Sequence, residues 1–345
     1  MDKIVEYLTF FRSNLHYELQ KLLIENLDLQ QCLEFLKITK TSPKTSEIKK
    51  EAREILENGC KILTIDNQNY PLILKKTSKP PLLLTIKGNE KLLSKKSIAF
   101  VGSRDLINDD IKIISNLVKN VASLDFNIVS GLALGTDALA HIHSLKTGTI
   151  AVLPSGIGNI YPHQNEFLAK KILNSNGLLI SEYKFDEHPQ KSYFLDRNRI
   201  IAGLSSSVLA MRSKNIRSGT LSTVNFAKKD GRPIYTYDFY DNCEGNKYII
   251  NNKIAEKIEN ENFLYCMLFL NHLKLENELN NRTEKPVKKS LFSNTISQKD
   301  IKKLLQNEGI NHIDETNFVK ICNFIEKKLK ITTKEAVVAL FEIMN

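Results

Sequence analysis

The sequence predicts an α/β protein with a doubly wound, mostly parallel sheet in the middle of the chain. Six short runs of apolar and β-branched residues recur between positions 97 and 237, and their first residues lie 23 to 29 positions apart. Segments with helical spacing of apolar residues separate these runs. Strands that alternate with helices in this way are typical of parallel sheets. Because the runs are apolar throughout, we expect helices to cover both faces of the sheet.

Each element of this middle segment can be placed from its local pattern. An extended lead-in over 61–96, with Tyr70-Pro71 and Pro80-Pro81, precedes the first of the six strands. The predicted strands begin near Ser97, Phe126, Thr149, Leu178, Ser207 and Pro233. The predicted helices between them span about 108–123, 134–146, 164–175, 195–204 and 218–229.

The segments on either side of the sheet have different patterns, which divide the chain into four parts. Residues 1–60 have apolar positions at helical spacing and predict a helical N-terminal domain. Residues 61–258 form the core with the sheet. Residues 259–297 are predicted as a helix followed by a polar linker that starts near 274. Residues 298–345 return to helical spacing and predict a small helical C-terminal domain.

Composition excludes several classes of protein. The chain has 345 residues with 42% hydrophobic and 26% charged residues, which is ordinary for a globular protein with a sizeable core. No apolar run approaches the roughly 18–20 residues that span a bilayer, and charges occupy the N-terminus where a secretory signal would be apolar. Five cysteines at unpaired spacings predict neither a disulfide framework nor a zinc ribbon. We therefore expect a cytoplasmic protein with no membrane partner.

The positive charge is concentrated in one part of the chain. The formal net charge is +10, and the stretch 184–232 alone holds 10 basic against 4 acidic side chains. Such an excess indicates an anionic partner, and nucleic acid before a membrane because no basic amphipathic helix accompanies it. A solvated, lysine-rich surface remains the alternative on charge alone.

Small residues follow several of the predicted strands, at the edge where ligands of parallel sheets bind. Short glycine turns of this type expose backbone N–H groups at helix starts, and these groups bind anions. Neither G-x-G-x-x-G nor G-x-x-x-x-G-K-[ST] occurs, which argues against a dinucleotide enzyme and a P-loop NTPase. The turns are Gly102-Ser103-Arg104, Ser130-Gly131 through Thr136-Asp137, Pro154-Ser155-Gly156, and Arg217-Ser218-Gly219-Thr220.

A basic and aromatic segment between the fourth and fifth predicted strands adds a second signal for nucleic acid. Lys191, Phe194 and Arg197 alternate cations with an aromatic ring, and Asn198 follows them. Cations hold the backbone of single-stranded DNA, and stacking of a base on an aromatic ring contributes about 1–3 kcal/mol. The alternative is that Phe194 is a core aromatic and that the arginines pair with acids such as Asp196.

The sequence has no pattern of acids, bases or nucleophiles that is typical of a catalytic site, and we predict no catalytic residue, cofactor or metal site. His141 and His143 are two positions apart on a predicted helix, so they do not share a face and cannot bind one metal together. Asp137, Glu182 and Asp196 lie beside helix starts, where acids usually cap the helix.

A series of short motifs runs through about residues 60–257 at regular positions. They are Val101-Gly102-Ser103-Arg104, Ser130-Gly131-Leu132-Ala133-Leu134-Gly135-Thr136-Asp137, Ala140-His141, Tyr161-Pro162, Ser181-Glu182-Tyr183, Phe194-Leu195-Asp196-Arg197-Asn198-Arg199-Ile200-Ile201 and Ser218-Gly219-Thr220-Leu221. At these residues, in order and spacing, the chain resembles the DprA/Smf family of DNA-processing proteins. Met211-Arg212-Ser213 departs from the family, which commonly has an acid at the end of this run.

The resemblance implies a Rossmann-like core that binds single-stranded DNA without sequence preference. It also implies a homodimer through that core, protection of incoming DNA and loading of RecA recombinase in natural transformation. The family's DNA pocket carries over onto Arg104, Lys191, Phe194 and Arg217, beside Ser218 and Gly219. Together with the turns and the basic segment, the candidate DNA-binding residues are Gly102, Ser103, Arg104, Ser130, Gly131, Lys191, Phe194, Arg197, Asn198, Arg217, Ser218 and Gly219.

Two alternatives remain open at this point. A Rossmann-like hydrolase that cleaves nucleotide ribosides would use the same anion-binding edge with an acid such as Glu182. A scaffold whose helical N-terminal or C-terminal segment binds protein partners would use neither. Ligand size separates the first alternative from DNA binding, because an enzyme of this kind should saturate with a mononucleotide.

Overall fold

The fold is described from a computed structural model, which describes residues 1–239, 243–283, 298–310, 312–314, 316–329 and 331–344. The chain divides into two compact units. One unit consists of residues 55–285 and contains the sheet. The other combines residues 1–54 with the described part of 286–345 and is helical. The part of the predicted linker from 284 to 297 lies outside the described residues.

The sheet has nine strands in the described residues, in the order β1-β2-β6-β5-β4-β3-β7-β8-β9. From β6 to β9 all neighbours are parallel, and β1 and β2 add an antiparallel edge. The strands are β1 Lys61–Thr64, β2 Leu83–Gly88, β3 Ser97–Val101, β4 Asn127–Ser130, β5 Thr149–Val152, β6 Leu178–Ser181, β7 Ser207–Ala210, β8 Ile234–Thr236 and β9 Glu256–Lys257.

The helices follow the chain in the alternation predicted for the core. They are α1 Asp2–Phe11, α2 Tyr17–Asn26, α3 Leu29–Thr39, α4 Thr45–Glu57, α5 Leu72–Lys75, α6 Asn108–Ser123, α7 Thr136–Ser144, α8 Glu166–Asn174, α9 Lys191–Gly203, α10 Gly219–Lys229, α11 Glu244–Asn251, α12 Glu261–Thr283, α13 Gln298–Asn307, α14 Phe318–Leu329 and α15 Thr333–Met344. Within the described ranges, no helix has both the length and the apolar content needed to cross a bilayer.

The doubly wound α/β fold predicted from the sequence is confirmed. After β3 the chain adds β4, β5 and β6 on one side, and it then returns to place β7 on the other side of β3. Ile98 and Phe100 of β3 are fully buried in one cluster with Leu117 and Val121 of α6. The gap between the loops that leave β3 and β7 is the topological switch point, where ligands of such sheets bind.

Two helices differ from their predicted bounds. Helix α9 begins at Lys191, four residues before the predicted start, so Phe194 lies in its first turn. Helix α12 continues to Thr283, ten residues into the segment predicted as a linker. Leu275 and Leu279, one helical turn apart, are half-buried in this extension, and Lys76 Nζ donates to the Leu279 carbonyl at 2.7 Å. Burial of these two leucines explains why a largely polar segment remains helical.

The helical unit joins two segments that the sequence predicted as separate domains, 1–60 and 298–345. Phe35 of α3 and Phe318 of α14 are both fully buried, and their rings meet edge to face with centroids 5.2 Å apart. Arg12 and Glu51 form an ion pair at 2.9 Å in the same unit. Helical segments of this length bury too little apolar surface alone, so a shared core is the physical reason for their association.

Candidate nucleic-acid interface

A cleft of about 300 Å³ opens at the carboxyl ends of β3 and β7. Its walls come from the loops after β3, β4 and β7 and from the first turns of α9 and α10. A smaller cavity of about 90 Å³ shares Arg104, Phe194 and Arg197 with the cleft and extends to Tyr161. The cleft therefore occupies the switch point of the sheet.

An aromatic ring and a cation form the rim of the cleft. Phe194 is half-buried, and its ring meets that of Tyr161 edge to face at 5.4 Å. The exposed guanidinium of Arg104 lies 5.8 Å from the centre of the Phe194 ring. A half-buried ring that lines a cleft beside a cation can stack a base, in contrast with a ring enclosed in the core.

The floor of the cleft has buried donors with unused hydrogen-bonding capacity. Arg197 is 5% exposed, and its Nη1 donates to the carbonyl of Val152 at 2.7 Å. Burial lowers the pKa of Arg197 to about 10, against the attraction of Asp137, so the guanidinium remains charged at neutral pH. Within the described part of the chain, neither Arg197 Nε nor the buried Thr223 hydroxyl has a hydrogen-bond partner. A buried cation and hydroxyl in this state are suited to an anionic ligand.

The start of α10 forms one side of the floor. Ser218 is the N-cap of α10, because its hydroxyl accepts a hydrogen bond from Leu221 N at 3.3 Å. The same hydroxyl lies 2.6 Å from the Ser213 hydroxyl. Asn198 Nδ2 donates to the carbonyl of Gly219 at 3.2 Å, so this side chain braces the start of the helix. Gly219 itself is exposed. The positive end of the helix dipole therefore faces the cleft beside Arg197.

The turn after β4 was predicted to expose backbone N–H groups to an anion, and this prediction is wrong for three of them. Asp137 Oδ2 accepts from Gly131 N at 3.0 Å and from Ala133 N at 3.4 Å. Leu132 N donates to His141 Nε2 at 3.3 Å. Burial raises the pKa of Asp137, and the attraction of Arg197 opposes this effect. The N–H groups of Gly131, Leu132 and Ala133 are thus used within the protein.

Ser130 and Gly131 have packing roles in the same turn. The Ser130 hydroxyl is fully buried and donates to the carbonyl of Phe100 at 2.6 Å. A Cβ atom at Gly131 would lie 1.6 Å from Arg197 Nη1. Glycine at this position therefore leaves room for the guanidinium of Arg197, which reaches the floor of the cleft.

The buried histidine of this region is a structural residue. His141 Nε2 accepts a hydrogen bond, so Nδ1 carries the proton and donates to the Thr149 hydroxyl at 2.7 Å. That hydroxyl donates to the Ile128 carbonyl at 3.0 Å. Burial, with a further contribution from the charge of Arg197, lowers the pKa of His141 to about 3. Among the residues that the structure describes, no His, Cys, Asp and Glu side chains are grouped so as to hold a metal ion.

Arg199 pairs with an acid, as one of the alternatives from the sequence allowed, but the acid is Glu182. Arg199 Nη2 lies 2.5 and 2.7 Å from the two carboxylate oxygens of Glu182. Arg199 is buried, and Glu182 is half-buried. The acid that the hydrolase alternative requires is therefore held in an ion pair with Arg199.

The remaining predicted residues divide into Gly102 and Ser103, which line the cleft, and two exposed cations that do not. Ser103 N donates to the carbonyl of Arg212 at 2.7 Å, and a Cβ atom at Gly102 would lie 2.4 Å from the Thr136 hydroxyl. Lys191 and Arg217 are exposed at the starts of α9 and α10, and neither lines the cleft as the described residues outline it.

Three of the lining residues lie outside every motif that the sequence indicated, and these are Lys214, Asn215 and Thr223. Thr223 follows Gly219 by four positions, and residues at this spacing share a face of a helix. That spacing could have predicted that Thr223 lies on the same side of α10 as Gly219. Lys214 and Asn215 lie in an irregular loop, which carries no periodic signal.

The family model and the curated relatives identify one family. The family model of DNA recombination-mediator protein A matches residues 61–268. DNA processing protein DprA of Bacillus subtilis is 37% identical over 182 residues, which are 52% of this chain and 61% of that protein. Protein Smf of Borreliella burgdorferi is 29% identical over 237 residues, which are 68% of this chain and 75% of that protein. The first match thus spans less than two thirds of the relative.

Solved structures of two relatives have the same fold. The DNA processing protein A of Helicobacter pylori, whose binding of single-stranded DNA has been studied structurally, is 28% identical with a TM-score of 0.55. The match covers 61% of this chain and 96% of that structure. DprA of Streptococcus pneumoniae is 27% identical with a TM-score of 0.56, over 71% of this chain and 94% of that structure.

Proposed function

The chain belongs to the family of DNA recombination-mediator protein A, and from this premise we propose that it binds single-stranded DNA without sequence preference. The strand lies across the cleft at the switch point of the sheet. Arg104 holds a phosphate at the rim, Phe194 stacks a base, and Arg197 with the start of α10 receives a phosphate at the floor. Lys191 and Arg217 attract the backbone on either side.

The observation that carries this proposal is the state of the cleft floor. Arg197 Nε and the Thr223 hydroxyl are both buried, they belong to residues that line the cleft, and neither has a hydrogen-bond partner in the described residues. Such groups cost free energy unless a ligand completes their hydrogen bonds. A phosphate supplies acceptors for both, and the Phe194 ring at the rim adds a surface that every base can stack on.

We extend the proposal to the partners and setting that the family resemblance implies. The protein protects incoming single strands, forms a homodimer through the core and loads RecA recombinase during natural transformation in the cytoplasm. It acts without catalysis and without a cofactor. Family membership supports these statements, and each is open to its own binding or sizing experiment.

Fluorescence anisotropy with a labelled oligo-dT of a few tens of nucleotides tests the central claim. We expect tight binding that weakens with salt, with a slope of about −0.7 for each phosphate neutralised on a single strand. Arg104→Ala and Arg217→Ala should weaken binding and flatten the slope. Phe194→Ala should weaken binding with an unchanged slope, by about 1–3 kcal/mol for one base.

Lys170→Ala is the matched control for charge. Lys170 is exposed on α8 and pairs with Glu166, outside the cleft, so its loss changes the net charge without changing the proposed site. Equal losses for Arg104→Ala and Lys170→Ala would reject a defined site. Saturation by a mononucleotide, with turnover that Glu182→Gln abolishes, would instead support the hydrolase. Absence of any oligo-dT binding at low salt would reject the proposed function.

A further inference from the structure

Two loops at the carboxyl ends of the neighbouring strands β3 and β7 carry cations of the proposed site, and a buried ion pair lies beside them. The loop after β3 carries Arg104, and the loop after β7 carries Lys214 and Arg217. Arg212 Nη1, in the second loop, lies 3.0 Å from the carboxylate of Asp110 at the start of α6. Only 6% and 3% of these two side chains is exposed to solvent.

Further hydrogen bonds hold the two loops, one of them through the Asp110 side chain. Asp110 Oδ2 accepts from Ile107 N at 3.0 Å, and this bond holds the end of the loop after β3. The Arg212 carbonyl accepts from Ser103 N at 2.7 Å, directly before Arg104. Asn246 Oδ1 accepts from Ser213 N at 2.7 Å, and this bond holds the next residue of the loop after β7 to α11. The two loops are thus held to each other by the backbone bond between Ser103 and Arg212 and by the side chains of Asp110 and Arg212.

We propose that Asp110 and Arg212 are positioning residues for single-stranded DNA, an inference that rests on the proposed function. The pair sets the spacing between Arg104 on one loop and Lys214 on the other, so that both cations reach phosphates of one strand. Arg212 does not contact the DNA, because its guanidinium is buried and neutralised by Asp110.

Lys214 is free to take part because its partner in the protein is weak. Its Nζ lies 3.2 Å from Asp105 Oδ2, with 49% and 83% of the two side chains exposed. Exposed pairs of this kind contribute little, so a phosphate can replace Asp105 at small cost. The distance between the two loops, which the buried pair maintains, then determines whether Lys214 and Arg104 can hold phosphates of the same strand at once.

Asp110→Asn separates positioning from simple electrostatics. The substitution removes a negative charge near the cleft, so a purely electrostatic effect would tighten DNA binding. Positioning predicts the opposite, with oligo-dT bound about tenfold more weakly if one phosphate contact is lost. The salt slope should also become shallower by about 0.7, the value for one phosphate on a single strand.

Arg212→Met should show the same loss of affinity and slope, and Arg212→Lys, which keeps the charge, should recover part of both. Arg12→Met is the matched control, because Arg12 forms a similar pair with Glu51, at 2.9 Å, in the helical unit. It removes the same charge and should leave affinity and slope unchanged. Thermal melts by circular dichroism establish that each variant is folded at the assay temperature, and Asp110→Asn and Arg212→Lys are the milder changes.

The outcomes distinguish this inference from the proposed function. A folded Asp110→Asn protein that binds oligo-dT as tightly as the wild type, or more tightly, overturns the positioning role while DNA binding stands. A loss of affinity with an unchanged salt slope also overturns it, because all phosphate contacts would then be intact. If the wild-type protein itself does not bind, the proposed function fails and this inference fails with it.

Discussion

The turn after β4 and the start of α10 both place a serine, a glycine and a threonine at the carboxyl edge of the sheet. In the turn after β4, Asp137 and His141 accept from three consecutive backbone N–H groups, and Arg197 fills the space beside Gly131. At the start of α10, Gly219 is exposed and nothing lies within 4 Å of the position that its Cβ would occupy. The first turn is closed by the protein, and the second is open toward the cleft.

The difference shows that small residues at a sheet edge have two separate uses. In the closed turn they admit a buried side chain from another helix, and that side chain then reaches the ligand cleft. In the open turn they leave room for the ligand itself. The side-chain acceptors of α7, here Asp137 and His141, decide between the two uses.

The largest expected effect comes from removing the charge that closes the turn. Asp137→Asn removes the carboxylate whose attraction offsets the burial of the Arg197 charge. A buried charge left without compensation typically costs about 3–5 kcal/mol. Urea unfolding followed by circular dichroism measures the change. Asp196→Asn is the matched control, because the same chemical change on the exposed face of α9 should stay within about 0.5 kcal/mol.

Equal stabilities for the two asparagine variants would show that the Asp137 carboxylate does not close the turn. The control also tests DNA binding in the cleft, because Asp196 places a negative charge beside the proposed DNA site. Asp196→Asn should therefore bind oligo-dT slightly more tightly than the wild type at low salt.

A methyl group placed in the closed turn should have the next largest effect. In Gly131→Ala the new Cβ would overlap the guanidinium of Arg197, which must leave its hydrogen bond to Val152. Overpacking of this kind typically costs about 1–3 kcal/mol, and we expect the upper part of that range because the neighbour is a buried charge. The same unfolding measurement applies. Wild-type stability in Gly131→Ala would mean that Arg197 has another position available.

The contrast between the two turns also marks the limit of what the sequence predicts. Helical periodicity predicted α6 over 108–123, because burial of one face repeats along the helix. Short runs that are apolar throughout predicted the six parallel strands, because both faces of the sheet are covered. The sequence also placed Arg104, Phe194 and Gly219 at one edge, which follows from the direction of parallel strands.

The hydrogen bonding of the turn after β4 could not be predicted in the same way. Whether Gly131 N is free depends on Asp137, which the sequence suggested only as a helix cap, and on Arg197, which arrives from α9 more than sixty residues later. The burial of Ser130 and the bracing contact of Asn198 are tertiary for the same reason. Local pattern identifies a glycine turn, and packing decides which groups remain available to a ligand.

His141, which accepts the hydrogen bond from Leu132 N, makes the stability of the protein depend on pH. Because the pKa of His141 is lowered to about 3, the unfolded chain takes up a proton near pH 6.5 while the folded protein does not. Stability is therefore present above pH 6.5 and is lost as pH falls toward 3, at about 1.4 kcal/mol per pH unit. Between pH 7 and pH 5 the loss from this residue should be about 2 kcal/mol.

Urea unfolding at several pH values measures this slope in the wild type and in His141→Gln. Glutamine does not titrate, so the variant should lose this part of the pH dependence whatever its stability at pH 7. Parallel curves of unfolding free energy against pH for the two proteins would mean that His141 is protonated in the fold.

The smallest effect on stability, and the most direct test of the comparison, comes from Gly219→Ala. Its Cβ would project into open space at the first position of α10, so the free energy of unfolding should change by less than about 0.5 kcal/mol. Oligo-dT affinity should nevertheless fall a few-fold, because a methyl group beside the N-terminal N–H groups of α10 keeps a phosphate from close approach. The same substitution thus affects mainly folding in the turn after β4 and mainly binding at the start of α10. A Gly219→Ala protein with wild-type affinity would place the strand away from the start of α10.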